Sequence, residues 1–391
     1  MNKKYTILMP CLNEALTLGK CIEAANIGIL SSGIDAEILI ADNGSTDGSQ
    51  KIAVDLGARV IKVPERGYGS ALYFGCLSAK GDLIIMADSD QSYDFSRLEK
   101  FVDSFNQGYD FVIGNRFLGG ISAGAMPWKN RYIGNPALTL IGKILFKVPI
   151  NDFHCGMRAI KKSAFNRLDL RTTGMEFATE MVIKAKLAGL RMTEIPVTLD
   201  KDGRDRAPHL RPWRDGWRHL RFMFLFCPRW LFIIPGAVMF LTGFFCYVLI
   251  LFRGNVDLTH SIKLGIHTLF YMQTLFLMGY LTLLFGFIVR VFAAREGILP
   301  NKTLLNKIQK KSILETGGLF SIALIFTGIY IGIIAVKSWA HSLFGELTSY
   351  ELLSLVSLST SFITGGFITL LGSLLLGFLS HPMTRNSSGG D

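Results

Sequence analysis

The sequence predicts an α/β domain built on a mostly parallel sheet, followed by a domain of four membrane-spanning helices. Three observations predict it. From Tyr5 onward, short β-rich runs alternate with helical stretches, the pattern of a parallel sheet covered on both faces. Polar clusters follow three of those runs. After residue 228, four long stretches contain no Asp, Glu, Lys or Arg.

In order, strands are expected at 5–9, 36–41, 59–63, 83–87 and 109–114, with helices starting near Glu14, Thr46, Gly69 and Ser96. The run Leu83-Ile84-Ile85-Met86-Ala87 is wholly apolar and ends in Asp88-Ser89-Asp90. An apolar run of that length reads as a buried parallel strand, and open α/β sheets bind ligands at the carboxyl ends of such strands. Two aspartates there suit Mg²⁺ or Mn²⁺, leaving coordination positions open for substrate phosphates. Solvated turn residues give the same pattern, so the pair alone decides little.

The first strand is followed by Pro10-Cys11-Leu12-Asn13-Glu14 and the second by Asp42-Asn43-Gly44-Ser45-Thr46-Asp47-Gly48. Either cluster alone is a helix cap, with Asn13 or Thr46 as capping residue. In a parallel sheet the three clusters converge on one edge, and together they indicate a site. Gly67-Tyr68-Gly69-Ser70-Ala71-Leu72 has the start of a dinucleotide fingerprint, but Leu72 replaces its third glycine, which argues against a Rossmann dehydrogenase.

The charge-free stretches are 231–252, 264–289, 317–336 and 352–379. At about 1.5 Å per residue each spans a hydrocarbon core of about 30 Å. Arg204, Arg206 and the arginines up to Arg229 precede the first stretch, and Arg290, Arg295, Lys302, Lys307, Lys310 and Lys311 lie between the second and third. The other two connections carry few cations. The positive-inside tendency therefore places both termini and the first domain in the cytoplasm, in a protein integral to the cell (inner) membrane. No signal peptide is expected before Tyr5.

The six cysteines show neither a CxxC pair nor a zinc spacing, which fits reduced thiols in the cytosol. The net charge of +11 is concentrated beside the membrane segments, so anionic lipid rather than nucleic acid is the expected partner. Trp213, Trp217, Leu220 and Phe224 recur at helical spacing beside Arg214, Arg218 and Arg221, the layout of an interfacial helix with arginines toward headgroups. The expected organisation is thus 1–210 cytosolic domain, 211–228 amphipathic helix and 229–391 membrane domain with a short tail.

The ordered set Pro10-x-x-Asn13-Glu14, Asp42-x-Gly-Ser-Thr-Asp47-Gly48, Arg66-Gly67-x-Gly69-x-Ala71, Asp88-x-Asp90, Gly114-Asn115-Arg116 and Gly156-Met157-Arg158-Ala159 resembles the family 2 glycosyltransferases. Within them it is similar to the dolichol-phosphate mannose synthase and polyprenyl-phosphate glucosyltransferase branch, over about residues 5–210. The resemblance implies a GT-A fold, a nucleotide-sugar donor (UDP- or GDP-hexose), a polyprenyl phosphate acceptor (undecaprenyl or dolichyl) and inversion at the anomeric carbon. It implies that Pro10, Glu14 and Asp42 line the base and ribose pocket, and that Asp88 and Asp90 hold the metal. Arg116 and Arg131 match positions that bind the acceptor phosphate, and Glu180 matches a position near the active site. Where the mannose synthases usually have Asp-x-Asp-x-Gln, this chain has Ser92 in the last place and Gln91 one earlier. Glucose and mannose donors both stay open.

Arg204 and Arg206 precede the membrane and either close over the site or meet headgroups. His154 and Arg158 follow Asp152 in a turn-like segment expected near the sugar, although His154 also reads as a structural histidine. Glu176 and Glu180 share a helix face. Two other functions use the same features. A processive polysaccharide synthase would resemble its relatives in a Gln-x-x-Arg-Trp motif, but Phe226 stands before Arg229-Trp230 where Gln is needed. A lipid-linked-sugar flippase or scaffold would need a polar pathway that four uncharged helices do not offer within one copy, although a homo-oligomer would have room for one.

Overall fold

The computed structural model describes residues 4–205, 212–254, 256–259, 262–295, 313–341, 343–344 and 350–380. Arg206 and Lys302, Lys307, Lys310 and Lys311 lie outside the described residues, as does the side chain of Trp213. Contacts divide the chain into two units, Met1–Leu225 and Phe226–Asp391, so the amphipathic helix groups with the first.

That unit opens with β1 (Tyr5–Cys11), α1 (Leu18–Ser32), β2 (Ala36–Asp42), α2 (Ser49–Asp55), β3 (Arg59–Lys62), α3 (Tyr68–Ser78) and β4 (Leu83–Met86). It continues with α4 (Glu99–Asn106), β5 (Phe111–Asn115), α5 (Arg116–Gly119) and a π-helical turn (Asn130–Gly134) leading into α6 (Asn135–Phe146). It ends with β6 (Arg158–Lys161), α7 (Lys162–Leu168), α8 (Phe177–Leu187), β7 (Met192–Pro196) and α9 (Pro212–Leu225).

Seven strands form one sheet in the order β3-β2-β1-β4-β6-β5-β7. β1 pairs parallel with β2 and β4 in registers that set Cys11 opposite Asp42 and Leu8 opposite Met86. The three polar clusters therefore leave the sheet at one edge. Ile7, Leu8, Met9, Ile84, Ile85 and Met86 are fully buried, which accounts for the unbroken apolar runs of the central strands.

The structure adds two strands that the sequence pattern hides. β6 runs antiparallel to both β4 and β5, so its start, with segment 151–157, reaches the same edge as the ends of its neighbours. It is hidden because Arg158 and Lys161 bound a four-residue run. β7 pairs parallel with β5 and carries Thr193, Glu194 and Pro196, a weak strand composition. Three helices also start later than expected, α1 at Leu18, α2 at Ser49 and α4 at Glu99. Residues 13–17 are drawn into a turn before Leu18, and Asp47 Oδ1 accepts from Ser49 N at 3.1 Å and Ser49 Oγ at 2.6 Å, setting the start of α2.

The second unit holds α10 (Ile234–Arg253), a hairpin of β8 (Val256–Thr259) and β9 (Ile262–Leu264), α11 (Ile266–Arg295), α12 (Ile313–His341) and α13 (Tyr350–Ser380). All four helices are long and apolar enough to cross a membrane. The pairs α10 with α11 and α12 with α13 pack most extensively. At Gly243 and Gly279 the α10 and α11 backbones come so near that an added Cβ would lie 2.4 Å from Phe276 N and 2.2 Å from Phe240 N. Gln273 Nε2 donates to Thr360 Oγ1 at 2.8 Å, and Ser357 Oγ donates to Gln273 Oε1 at 2.8 Å, which ties α11 to α13. Small residues and interhelical hydrogen bonds of this kind hold helices together where lipid removes the hydrophobic drive.

Candidate active site

The first two strand-end loops are built on each other. Asn13 takes a left-handed backbone with φ 58°, which asparagine tolerates. Its N–H donates to Ser45 Oγ at 2.9 Å, while its Oδ1 accepts from Thr46 N at 2.8 Å. Glu14 N donates to Ser49 Oγ at 3.0 Å and Ala15 N to Asp47 Oδ2 at 2.9 Å. The motif residues thus serve one another first, and the loops are preorganised by it.

Asp42 is buried, and its carboxylate accepts from Gly44 N at 3.2 Å, Ser45 N at 3.1 Å and Gln50 Nε2 at 2.6 Å. It stands behind the wall, and its neighbour Asn43 faces the cavity. Asn43 also ties in the loop after β3, donating to Glu65 O at 2.8 Å and accepting from Gly67 N at 2.7 Å.

These loops open onto a cavity of about 580 Å³ whose lining includes Pro10, Glu14, Asn43, Arg66, Tyr68 and Asp88. That is within the usual range for small-ligand sites, about 300–1,000 Å³. The far side is supplied by Gly174, Met175, Arg204, Arg214 and Arg218. Burial, followed by the neighbouring Asp90 charge, pushes the Asp88 carboxyl up to about 6, against a hydrogen bond from Tyr68 that opposes the shift. Asp88 is also approached from segment 151–157: a Cβ on Gly156 would lie 2.7 Å from Asp88 Oδ2, so glycine is needed there.

Asp90 does not line the cavity. Its Oδ1 accepts from Ser92 N at 3.0 Å and Ser92 Oγ at 2.5 Å, and Oδ2 pairs with Arg204 at 3.0 Å. Ser92, standing where the mannose synthases usually have glutamine, therefore fixes Asp90, whereas Gln91 takes a left-handed backbone with φ 67° and its Nε2 donates to Thr17 O at 3.4 Å. Arg204 also meets Glu14 Oε1 at 2.7 Å, so one guanidinium spans two buried carboxylates. Among the described residues no three His, Cys, Asp or Glu side chains converge as a metal cage. The hard oxygens of Asp88 and Asp90 nevertheless fit Mg²⁺ or Mn²⁺, ions held by one or two carboxylates plus substrate phosphates and water.

Three other expected site residues lie elsewhere. Arg116 is buried and bidentate on Asp152, with Nε to Oδ2 and a terminal nitrogen to Oδ1 both at 2.7 Å. Arg131 lies on the π-helical turn, its guanidinium 5.4 Å from the Tyr132 ring centre. Glu180 is buried, accepting from Arg171 N, Thr172 N and Thr172 Oγ1, and pairs with Lys184 at 2.9 Å. It holds the loop whose Thr173 carbonyl receives Gly69 N at 2.9 Å, and which continues into Gly174 and Met175 of the cavity wall. Arg158 is fully enclosed and donates to the carbonyls of Cys155 and Ala178, fastening segment 151–157 to α8. His154 stacks edge-on to His219 with ring centres 4.6 Å apart. Burial first, then His219, Arg116 and Arg158, hold its pKa well below the usual histidine value.

Two features escaped the sequence reading. Arg214 and Arg218 face the cavity, where headgroup contact alone was expected. The stretch around α6 exposes Trp128, Tyr132, Ile133, Leu140 and Ile144, a second amphipathic surface that the 3.6-residue apolar spacing would have revealed.

A largely parallel α/β sheet with a carboxylate- and arginine-lined cavity at one edge, joined to four apolar helices, defines a membrane-bound glycosyltransferase. Family comparison agrees at both ends of the chain: residues 6–169 match Glycosyl transferase family 2, and residues 287–380 match the Glycosyltransferase family 2 C-terminal transmembrane region. The low-salt glycan biosynthesis hexosyltransferase Agl6 of Haloferax volcanii is 32% identical over 379 residues, covering 96% of this chain and 89% of that one. The chain belongs to glycosyltransferase family 2 and is an integral membrane protein. A dolichyl-phosphate hexose transferase of the same organism is 32% identical over 192 residues, 49% of this chain and 80% of that one. Among solved structures, glucosyl-3-phosphoglycerate synthase from Mycobacterium tuberculosis, in complex with Mn²⁺ and UDP-glucose, aligns with TM-score 0.43 and 20% identity over 57% of this chain and 78% of that one.

Proposed function

We propose that the protein transfers a hexose from a UDP- or GDP-sugar to a polyprenyl phosphate, undecaprenyl or dolichyl, at the cytosolic face of the membrane, with inversion at the anomeric carbon. The observation that carries this reading is the cavity, which gathers Glu14, Asp88, Arg66, Arg204 and Arg218 around one space at the sheet edge. The likeness to a dolichyl-phosphate hexose transferase supports a lipid acceptor.

Pro10, Glu14 and Asn43 offer the base and ribose a wall that Asp42 braces from behind. A divalent cation, Mg²⁺ or Mn²⁺, held at Asp88 with Asp90 beside it, would neutralise charge on the departing diphosphate. The acceptor is a phosphate monoester with a second pKa of about 6, already a dianion near neutral pH. It therefore needs seating more than it needs a strong base. Its oxygen bonds to the anomeric carbon as the bond to the donor diphosphate breaks, the electron pair leaving on the diphosphate oxygen. Attack from the side opposite the leaving group inverts that carbon. Arg116 serves this step indirectly, since its pairing with Asp152 fixes the segment that bears Gly156 beside Asp88. Arg131, among exposed Trp128, Tyr132 and Ile133, suits a lipid headgroup.

The test is transfer from radiolabelled UDP- and GDP-sugars to undecaprenyl and dolichyl phosphate in membranes, with Mg²⁺, Mn²⁺ or EDTA. An acid-labile labelled lipid that vanishes with EDTA is expected. A water-insoluble polymer, or no lipid product from any donor, would overturn the reading.

A further inference from the structure

We infer that His219 of α9, acting through Thr179 of α8 and through His154, positions the 151–157 segment beside Asp88. The two histidines are then positioning residues for the transfer reaction proposed above, and the inference rests on that reading for the use made of Asp88.

The path is continuous. His219 and Met223 lie one turn apart on α9 and are both buried. His219 Nδ1 and Thr179 Oγ1 are 2.8 Å apart, and the same fully buried hydroxyl lies 3.5 Å from His154 Nε2. The imidazoles meet edge-on with ring centres 4.6 Å apart. Further along the segment, Gly156 N donates to the Tyr93 hydroxyl at 2.8 Å, and a Cβ on Gly156 would lie 2.7 Å from Asp88 Oδ2. With so little clearance, a displacement of His154 is passed to Asp88.

The protons show what holds the path together. His154 Nδ1 is buried and has no hydrogen-bond partner. If His154 carries its proton on Nε2 and donates to Thr179 Oγ1, while that hydroxyl donates to His219 Nδ1, both contacts are satisfied and no orphan N–H is created. The opposite order would leave a buried N–H on Nδ1 with nothing to receive it. A second proton on His154 meets the same difficulty. The charged groups around the ring are Arg116 of α5 and Arg158 of β6, with His219 of α9. From α8 comes the neutral Thr179, the buried residues of α6 are Thr139, Gly142 and Phe146, and Asp152 is taken up by Arg116. The path therefore requires neutral imidazoles. Because the His154 pKa is lowered, its contribution is present above the ordinary histidine value of 6.5 and is lost as pH falls below it.

The experiment follows hydrogen exchange of the 151–157 amides in the full chain in nanodiscs. Wild type is compared with His219→Leu, His154→Leu, both leucine changes together, and His154→Gln/His219→Asn. Gln keeps a donor near the place of Nε2, Asn keeps an acceptor near that of Nδ1, and neither titrates. Binding of UDP and of GDP with Mn²⁺ is measured on the same proteins. His219→Leu should speed exchange of the segment about fivefold to tenfold and weaken nucleotide with Mn²⁺ about threefold to tenfold. The Gln/Asn protein should recover most of both. The double leucine variant should be no worse than the worse single one. In wild type, protection of the segment should fall about fivefold between about pH 7.5 and about pH 5.5, beyond the change in intrinsic exchange. The Gln/Asn protein should lack that fall, since the Asp88 carboxyl titrates in both proteins and cancels in the comparison.

If exchange of the segment is unchanged in His219→Leu, or if the two leucine effects multiply, α9 does not position it and the inference fails. It fails equally if wild type and the Gln/Asn protein share one pH profile, or if the segment loosens while nucleotide with Mn²⁺ binds as before. The wild-type profile needs no substitution, so a flat one overturns the inference even where a leucine variant does not fold. No readout uses an acceptor or forms product. A wild type that makes no lipid-linked sugar therefore counts against the transfer reaction alone.

Discussion

The two sides of the cavity are built by different means. On one side, carboxylates sit at or just beyond strand ends, and Asp42, Asp90 and Glu14 are each held by backbone, hydroxyl or guanidinium donors within a few ångströms. On the other, the charges are guanidiniums on long side chains, carried by the segment after the sheet and by α9. The anionic side is rigid because sheet register and loop hydrogen bonds specify it. The cationic side reaches the same space from a distance, and Arg204 joins the two through Glu14 and Asp90.

The sharpest way to break this contrast is on the rigid side. Asp88→Asn should lower the rate of transfer by about 10²–10³-fold, or about 3–4 kcal/mol of barrier, with donor binding largely retained. Near-normal single-turnover rates would remove Asp88 from the chemistry. Next comes a brace that supports the wall without meeting substrate. Glu180→Ala strips the donors of the 171–172 turn of their acceptor and leaves Lys184 buried beside them, at a cost of about 3 kcal/mol. A lower thermal midpoint with a raised KM for the nucleotide-sugar is expected; loss of kcat at unchanged stability would instead make Glu180 a catalytic group.

Arg204→Gln tests the bridge. Two carboxylates lose their shared partner, so stability without added metal should fall by about 2 kcal/mol, and Mn²⁺ should raise the melting temperature more than it does in wild type. An unchanged melting curve would mean the bridge is incidental. The smallest effect belongs to a single loop contact: Ser45→Ala removes the acceptor of Asn13 N and should cost about 1 kcal/mol in a urea titration. A loss several times larger would show that the two strand-end loops unfold as one.

Legibility in the sequence follows the same division. Apolar runs and strand-end clusters repeat at short range, so β1, β2 and β4 and the edge carrying Asp88 were readable from spacing, as were the four apolar helices. Asp42 and Glu180 were recognisable as motif positions, but not the fact that their oxygens are taken up by local donors, because satisfaction depends on which backbone N–H groups a turn brings near. β6 escaped because charged Arg158 and Lys161 bound its four residues, and nothing in the local pattern shows that Arg158 is buried with its guanidinium on the carbonyls of Cys155 and Ala178. For α9, periodicity revealed an amphipathic helix, whereas its rotation is set by His219 against Thr179, a contact with no local signature.

The antiparallel strand has a consequence for how the chain is made. β4 is fully buried, with β1 on one side and β6 on the other, yet Leu83, already paired with Tyr5 of β1, meets its partner on the β6 side only when Lys161 arrives. During synthesis, where early segments emerge and fold first, β1 to β4 can pair while one side of β4 stays bare. A chain stopped between β4 and β6 would end with Leu83-Ile84-Ile85-Met86 as an apolar edge open to a second copy. Truncations in that interval should therefore aggregate, whereas release just after α9 leaves every strand of this sheet with its neighbours in place.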